Sequence, residues 1–443
     1  MPTLSVVPKT PYSERYREVA QTLPGHGRDW VRARREEGLS RFENAGIPSR
    51  KVEAWKYTDL RALAKVEFQP TPAADALSPR AAELVAAVTG DDHLVVFVNG
   101  RFRADLSALG ALPEGARIES LAAGLESGDG FVADHLGRLA DLPDRPFRDL
   151  NDALLTDGLA LRVPRGVTVD APIRVLFITD HEGDPVSHHP RLLIVAEEAS
   201  QATVVEDHRG PDGQTYFANG VTEITVGEGA HIHHYKRQSE GEAAFHLSTV
   251  FVHVAKDATY DSFILSDGAG LARNDIYARL DGTGADCRLS GAYLGRRRQH
   301  MDTTTLIDHA MPDGTSREVY KGVLDGKARG VFQGKIIVRR DAQRTDGYQL
   351  NRALLLSREA EIDSKPELEI YADDVKCSHG ATVGEIDAEA LFYLRARGIG
   401  EKEARSLLVE AFVQDALEEV RVDAVREEFA ALVRTWMENA ETA

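Results

Sequence analysis

Six alanines mark a repeat. ASQATVVE, GEGAHIHH, AKDATYDS, GTGADCRL, DGKARGVF and SREAEIDS each place an alanine after a polar or glycine-bearing corner, and most then run into a strand-like stretch. The alanines are 202, 230, 258, 285, 328 and 360, at spacings of 28, 28, 27, 43 and 32. From Pro172 to Ile386 almost no stretch sustains a helical apolar period. Short runs rich in Val, Ile, Thr, Tyr and Phe, among them IRVLFIT, LLIVAEE, VTEITV, STVFVHV and KIIVRR, alternate with Gly- and Asp-rich turns. A period of this size in an all-β stretch predicts a solenoid, each coil stacked on the last. The near-equal steps read as one structural unit and the two longer steps as loop insertions. The alternative is a β-sandwich, whose turns recur every ~8–12 residues without a longer period.

Helical sequence flanks the repeat. Tyr12 to Leu23 and Arg28 to Asn44 are rich in Arg, Glu, Leu and Ala, and Gly46 and Pro48 end the second run. SRKVEAWKYTDLRAL (49–63) predicts a short helix pinning Trp55 and Tyr57 onto neighbouring structure, and TPAADALSP (71–79) reads as a linker. Strand periodicity begins at LVVFVNGRF (94–102), and a further helix is expected near Phe147–Leu155. Past Ile386, Asp387 is positioned as an N-cap and Gly398 as the residue after a helix end. The next helix carries Ala404, Leu407, Leu408, Ala411 and Phe412 on one stripe, and a third carries Val425, Phe429, Leu432, Val433 and Trp436. These helices either pack on each other and on the solenoid end or present a partner surface. The expected division is 1–90 helical, 91–386 β core and 387–443 helical.

A net charge of −18 argues against a nucleic-acid partner. Arg296–Arg298, the densest basic cluster after the N-terminal region, reads as a solvated strand end or loop. No apolar run approaches the roughly 20 residues of a membrane span. The start of the chain shows no export pattern, and two cysteines in 443 residues point to a reducing compartment, so a cytoplasmic protein is expected. GVFQGKII (330–337) fails as a P-loop in spacing and in its missing hydroxyl residue, so ATP hydrolysis is not expected. H-E-x-x-H, G-x-S-x-G and C-x-x-C do not occur, and GTGADC (282–287) fits a solenoid corner better than a dinucleotide loop. Asp373–Asp374 could suggest a carbohydrate-active β-helix, but neighbours on a strand point to opposite faces.

VKCSHGATVG (375–384) alternates like a strand and holds one of the two cysteines. Cys377 and His379 then share a face, with Cα atoms roughly 6.7 Å apart. Sulfur with imidazole suits zinc or an iron–sulfur centre, and such sites take four ligands. Cys287 is distant in sequence, though neighbouring coils could bring it closer. The economical form is a site completed by a second chain; a metal-free structural solenoid is the alternative. In HIHHY, His231 and His233 share a strand face that is either metal-binding or merely exposed, and His188 and His189 lie by a turn.

VKCSHGATVGEIDAEALFYLRARGI (375–399) closely resembles the corresponding stretch of the SufB/SufD family, subunits of the SUF iron–sulfur cluster assembly complex. RKVEAWKYTDLRAL (50–63), VFVNGRF (96–102) and FRDLNDALLTDG (147–158) are similar to that family in the same order, across nearly the whole chain. The Cys-Ser-His-Gly-Ala-Thr run favours the SufD branch; the SufB branch looks different there, with glutamate. The resemblance implies a right-handed parallel β-helix flanked by two helical regions, in a non-enzymatic scaffold subunit. It implies a heteromeric complex with SufB, paired through the β-helix ends, and with the SufC ATPase, docked on the C-terminal helices. By that implication Cys377 and His379 lie at the SufB junction beside a transient, shared iron–sulfur cluster. SufC would contact Leu391, Phe392, Leu394, Arg395, Leu407, Leu408 and Phe412. A homodimer in the absence of SufB is compatible with the family, as is a flavin on the whole complex, for which no motif occurs here.

Overall fold

Most corners of the repeat are four-residue turns closed by one backbone hydrogen bond. In Gly227–Ala230, Gly282–Ala285 and Asp325–Ala328 the first carbonyl accepts the N–H of the fourth residue at 2.9, 3.4 and 3.1 Å. One glycine inside each turn, third in the first two (Gly229 and Gly284) and second in the last (Gly326), has φ of +63°, +73° or +63°, a region that glycine adopts without steric cost. The fourth is a fully buried alanine of the interior cluster. A larger side chain there would push the two walls of the coil apart.

Between corners the β-branched and aromatic runs form long strands. A computed structural model describes residues 12–71, 76–88, 93–128, 130–139, 142 and 144–439. Among them the core is a β-solenoid of about eight turns with helices at both chain ends. Alternate strands enter two sheets, so each coil contributes one strand to each. The ten-stranded sheet runs from Lys376–Gly384 through Asp346–Leu355, Thr315–Leu324, Asp286–Gly295, Thr259–Ser266, His231–Ser239 and Gln201–Arg209 to Ile173–Ile178 and His93–Val98. The eleven-stranded sheet ends at Glu361–Ile370, next to Arg329–Val338. Coil-to-coil ladders are parallel, with register offsets in the ten-stranded sheet of 27 to 31 residues.

The two long alanine steps are not loop insertions. Ala230, Ala258 and Ala285 turn the chain from the eleven-stranded into the ten-stranded sheet, whereas Ala328 and Ala360 turn it back. The 43-residue step is therefore one and a half coils of ordinary length, and the 32-residue step is a full coil read at the opposite corner. Both corners favour a small residue for the same steric reason, which is why the sequence pattern merged them. His93–Val98 and Arg101–Phe102 form an antiparallel hairpin on the first coil, closed by Asn99 and Gly100 at φ +54° and +71°.

The helices cover the outer faces, so mid-solenoid strands are buried on both sides. On the eleven-stranded sheet, Phe217, Leu247 and Leu271 pack under Phe42, Trp55 and Phe147 from the N-terminal region. The helix Asp29–Ala45 ends at Gly46 (φ +66°), as the sequence predicts, and Pro146–Leu154 is the expected helix near Phe147. Segment 49–63 is not one helix. It is a single 3-10 turn, Glu53–Trp55, then an extended clip and one helical turn, Arg61–Ala64. Trp55 is nevertheless pinned as expected, with the Arg273 guanidinium 3.9 Å from its ring centre. Of the predicted linker, 72–75 lies outside the described residues, and Ser78 already caps the helix Pro79–Ala86.

The C-terminal helices Glu401–Leu417 and Asp423–Asn439 do not sit on the solenoid end. They lie along the outer face of the ten-stranded sheet, where Val409, Val413, Leu417, Phe429 and Val433 cover Tyr235, Phe263, Leu294 and Val323. The end of the solenoid is left open. Among the described residues Glu361–Ile370 and Lys376–Gly384 each have a strand on one side only, and they are half-buried to exposed along their lengths. Pro366, which cannot donate a ladder bond, stands on one of these edges, where a sheet tolerates proline.

Candidate functional site

Cys377 and His379 lie on the last strand of the ten-stranded sheet, in positions whose lower rungs point into the solenoid. Cys377 stands on Gly347, then Ser316, then Cys287. His379 stands on Gln349 and then Glu318, both fully buried. The expected same-face geometry is therefore present, and that face is the mouth of the solenoid.

Glycine beneath Cys377 gives the thiol its seat. A Cβ on Gly347 would lie 3.4 Å from Cys377 Sγ and 3.6 Å from Ser316 Oγ. The sulfur is half-buried against the interior cluster, and burial pushes its thiol up. His379 is exposed. Cys287 does not join them: it is fully buried three rungs down the same column, ~14 Å away at ordinary strand spacing, and burial holds its thiol protonated. Among the described residues no cluster of three or more His, Cys, Asp or Glu side chains is placed to hold a metal ion. The mouth thus holds a half-buried thiol and an exposed imidazole two positions apart on its last strand, donor types that four-ligand zinc and iron–sulfur sites use.

Beneath the mouth the interior is polar. Gln349 Nε2 donates to Glu318 Oε2 at 2.5 Å, and burial pushes the Glu318 carboxyl up to about 7. Gln349 Oε1 has no partner among the described residues. Sequence reading missed both residues; counting one and two coils back from His379 would have found them. The other histidines resolve differently. His233 Nδ1 pairs with Asp261 at 3.1 Å on the outer face, and His231 stands two positions away, half-buried. His188 and His189 are fully buried, and burial lowers them to about 4 and about 3, so both are neutral structural groups.

Next to the mouth, Asp387 caps the helix Ala388–Ala396 by accepting from the Glu389 and Ala390 N–H groups. None of this helix is buried: Phe392 is 74% and Tyr393 56% exposed, Leu391 and Leu394 are half-buried, and Arg395 pairs with Glu401 at 3.2 Å. On Glu401–Leu417 only part of the predicted stripe is covered: Ala404 is buried and Phe412 half-buried, whereas Leu407 is 43% exposed, Ala411 exposed and Leu408 half-buried; the residues packed on the solenoid are Val409, Val413, Ala416 and Leu417. Phe412 is half-buried against the core, with Lys321 Nζ 4.8 Å from its ring centre.

Two family models cover almost the whole chain: the SufBD protein N-terminal region over residues 7–175, and the SUF system FeS cluster assembly SufBD core domain over 177–412. Iron-sulfur cluster assembly protein SufD of Escherichia coli is 32% identical over 90% of this chain and 91% of its own length. An iron-sulfur cluster assembly SufBD family protein of Synechocystis is 33% identical over 84% of each chain. The protein named SufD in Bacillus subtilis is 24% identical over 95% of each. With an uncapped β-solenoid, a Cys–His pair at its mouth and relatives matched nearly end to end, the chain belongs to the SufBD family of SUF-system iron–sulfur cluster assembly proteins.

Proposed function

We propose that the chain is a non-ATPase scaffold subunit of the SUF complex that supports cluster assembly at its open solenoid end. The observation that carries this is the half-site: Cys377 and His379 stand on the last coil, above interior columns, and among the described residues the outer edge of that coil has no strand partner. SufB would pair with that end and supply the remaining ligands of a nascent cluster, which is cargo here. Without SufB, a second copy of the chain would cover the same edges. The helix Ala388–Ala396 and the exposed stripe around Leu407 would dock the SufC ATPase, because large apolar side chains stand there in water. ATP work would belong to that partner, and the setting would be cytoplasmic.

Anaerobic co-expression with SufB and SufC, followed by sizing and absorbance, tests the reading. The expected result is one co-purifying complex with a cluster chromophore. A chain that elutes alone and colourless beside both partners would favour a metal-free structural solenoid.

A further inference from the structure

Away from the mouth, a cleft of about 420 Å³ opens where the corner turns of the middle coils meet the helices Pro79–Ala86 and Asp423–Asn439. In a chain of net charge −18, five arginines line it: Arg80, Arg209, Arg237, Arg296 and Arg297. Some are neutralised locally. Arg297 pairs with Glu242 at 2.8 Å and Arg80 with Glu83 at 3.0 Å. The floor is not balanced in the same way. One fully buried carboxylate, Asp207, serves three guanidinium groups: it binds Arg209 closely and leaves Arg174 and Arg237 each at 3.9 Å. Arg174 has Glu428 besides, at 2.8 Å. Arg237 has a side chain only 15% exposed and an Nε without a hydrogen-bond partner.

Arg296–Arg298 is the turn at a strand end that the sequence predicts, with Arg297 and Arg298 exposed, but Arg296 is half-buried, donating to the Trp436 carbonyl at 2.7 Å with its guanidinium 4.3 Å from the indole ring centre. Two more polar atoms of the lining have no partner among the described residues: Asp267 Oδ1 and the indole N–H of Trp436, a residue 4% exposed. Buried polar atoms left without hydrogen-bond partners are costly, and here three of them gather around one cavity. Leu84, Leu432 and the Trp436 ring give that cavity an apolar wall.

We propose that this cleft binds a small phosphate-bearing molecule of about mononucleotide size, its phosphoryl group seated between Arg237 and Arg296 and its apolar remainder on Leu84, Leu432 and Trp436. A phosphoryl group presents several acceptor oxygens to forked guanidinium donors. Burial raises the Asp267 carboxyl, which lessens its opposition to a neighbouring anion. An amino-acid zwitterion would satisfy Asp267 and one of Arg237 and Arg296 but leave the other unused. The volume lies within the usual range for small-ligand sites. The site is separate from the Cys377–His379 mouth, and its test does not involve a cluster.

The test is calorimetric titration of the full chain with AMP, inorganic phosphate and glycine, with thermal melting alongside. The expected result is AMP binding tighter than phosphate, no glycine binding, and a melting point that rises with AMP. Arg237→Gln and Arg296→Gln should each weaken AMP binding about tenfold or more while the unliganded melting point stays near that of the unchanged protein. Should Arg237→Gln fail to fold, the half-buried Arg296→Gln carries the comparison alone. Undetectable AMP binding, equal binding by folded variants, glycine binding as tightly, or phosphate matching AMP would each overturn the proposal.

Discussion

Glu318 is a carboxyl kept where charge is disfavoured. It is fully buried one coil beneath Gln349 and two beneath His379. Its folded value of about 7 lies above the ordinary 4.5, so between those values the folded state holds a proton that the unfolded chain has released. Stability therefore falls as pH rises from about 4.5 to about 7 through this group, by on the order of 3 kcal/mol. Glu318→Gln keeps an acceptor for the Gln349 amide and removes the titration. Urea unfolding should show the variant more stable than the unchanged protein at pH 8 and little different at pH 4.5; an equal gain at both would locate the effect elsewhere. At this scale the sequence was half legible. C-x-H alternation was enough to place Cys377 and His379 on one face, because side-chain direction in a strand is local. The relation of Cys287 to Cys377, in one column but three rungs apart, was hidden, because column position sums the lengths of every intervening corner.

The helix Ala388–Ala396 and its successor differ in what their apolar residues are for. Helix Glu401–Leu417 is apolar on two faces, one against the sheet and one toward Leu407, so periodicity selected a stripe that mixes the covered Ala404 and Phe412 with the exposed Leu407 and Ala411. Replacing Val413, buried against the solenoid, by Asp should cost about 3 kcal/mol or more in chemical unfolding. Phe392→Ser with Tyr393→Ser removes exposed surface only. That double variant should melt like the unchanged protein yet lose capture of SufC in a pull-down; normal capture would move the docking site off this helix. Truncation at 387 is a poorer probe, since it uncovers Tyr235, Phe263, Leu294 and Val323 at once. The N-terminal clip behaves as a strap across coils: Glu53 reaches Lys365 at 2.7 Å, and Thr58 hydrogen-bonds Asp302. Loss of the buried Trp55 ring in Trp55→Ala should cost about 3–5 kcal/mol, read from the unfolding midpoint.

As a whole the molecule is a stack whose coils lean on their neighbours, so stability is approximately a sum of nearest-neighbour terms and the last coil is the weakest. Burial follows that logic, from the nearly continuous burial of Asp286–Gly295 to the exposed Lys376–Gly384. The architecture was legible because a coil repeats a steric demand, a small residue inside each corner, and repetition makes a weak local signal visible. The placement of the helices was not, because which outer face they cover depends on surfaces assembled from many coils. An exposed pair of strand edges is an association site unless something covers it, and here it carries the Cys–His pair. The most direct test is to replace both Cys377 and His379 by alanine and purify the chain anaerobically with SufB and SufC. The account predicts an intact complex, by sizing, with cluster absorbance greatly reduced; an intact complex with full cluster absorbance would contradict it.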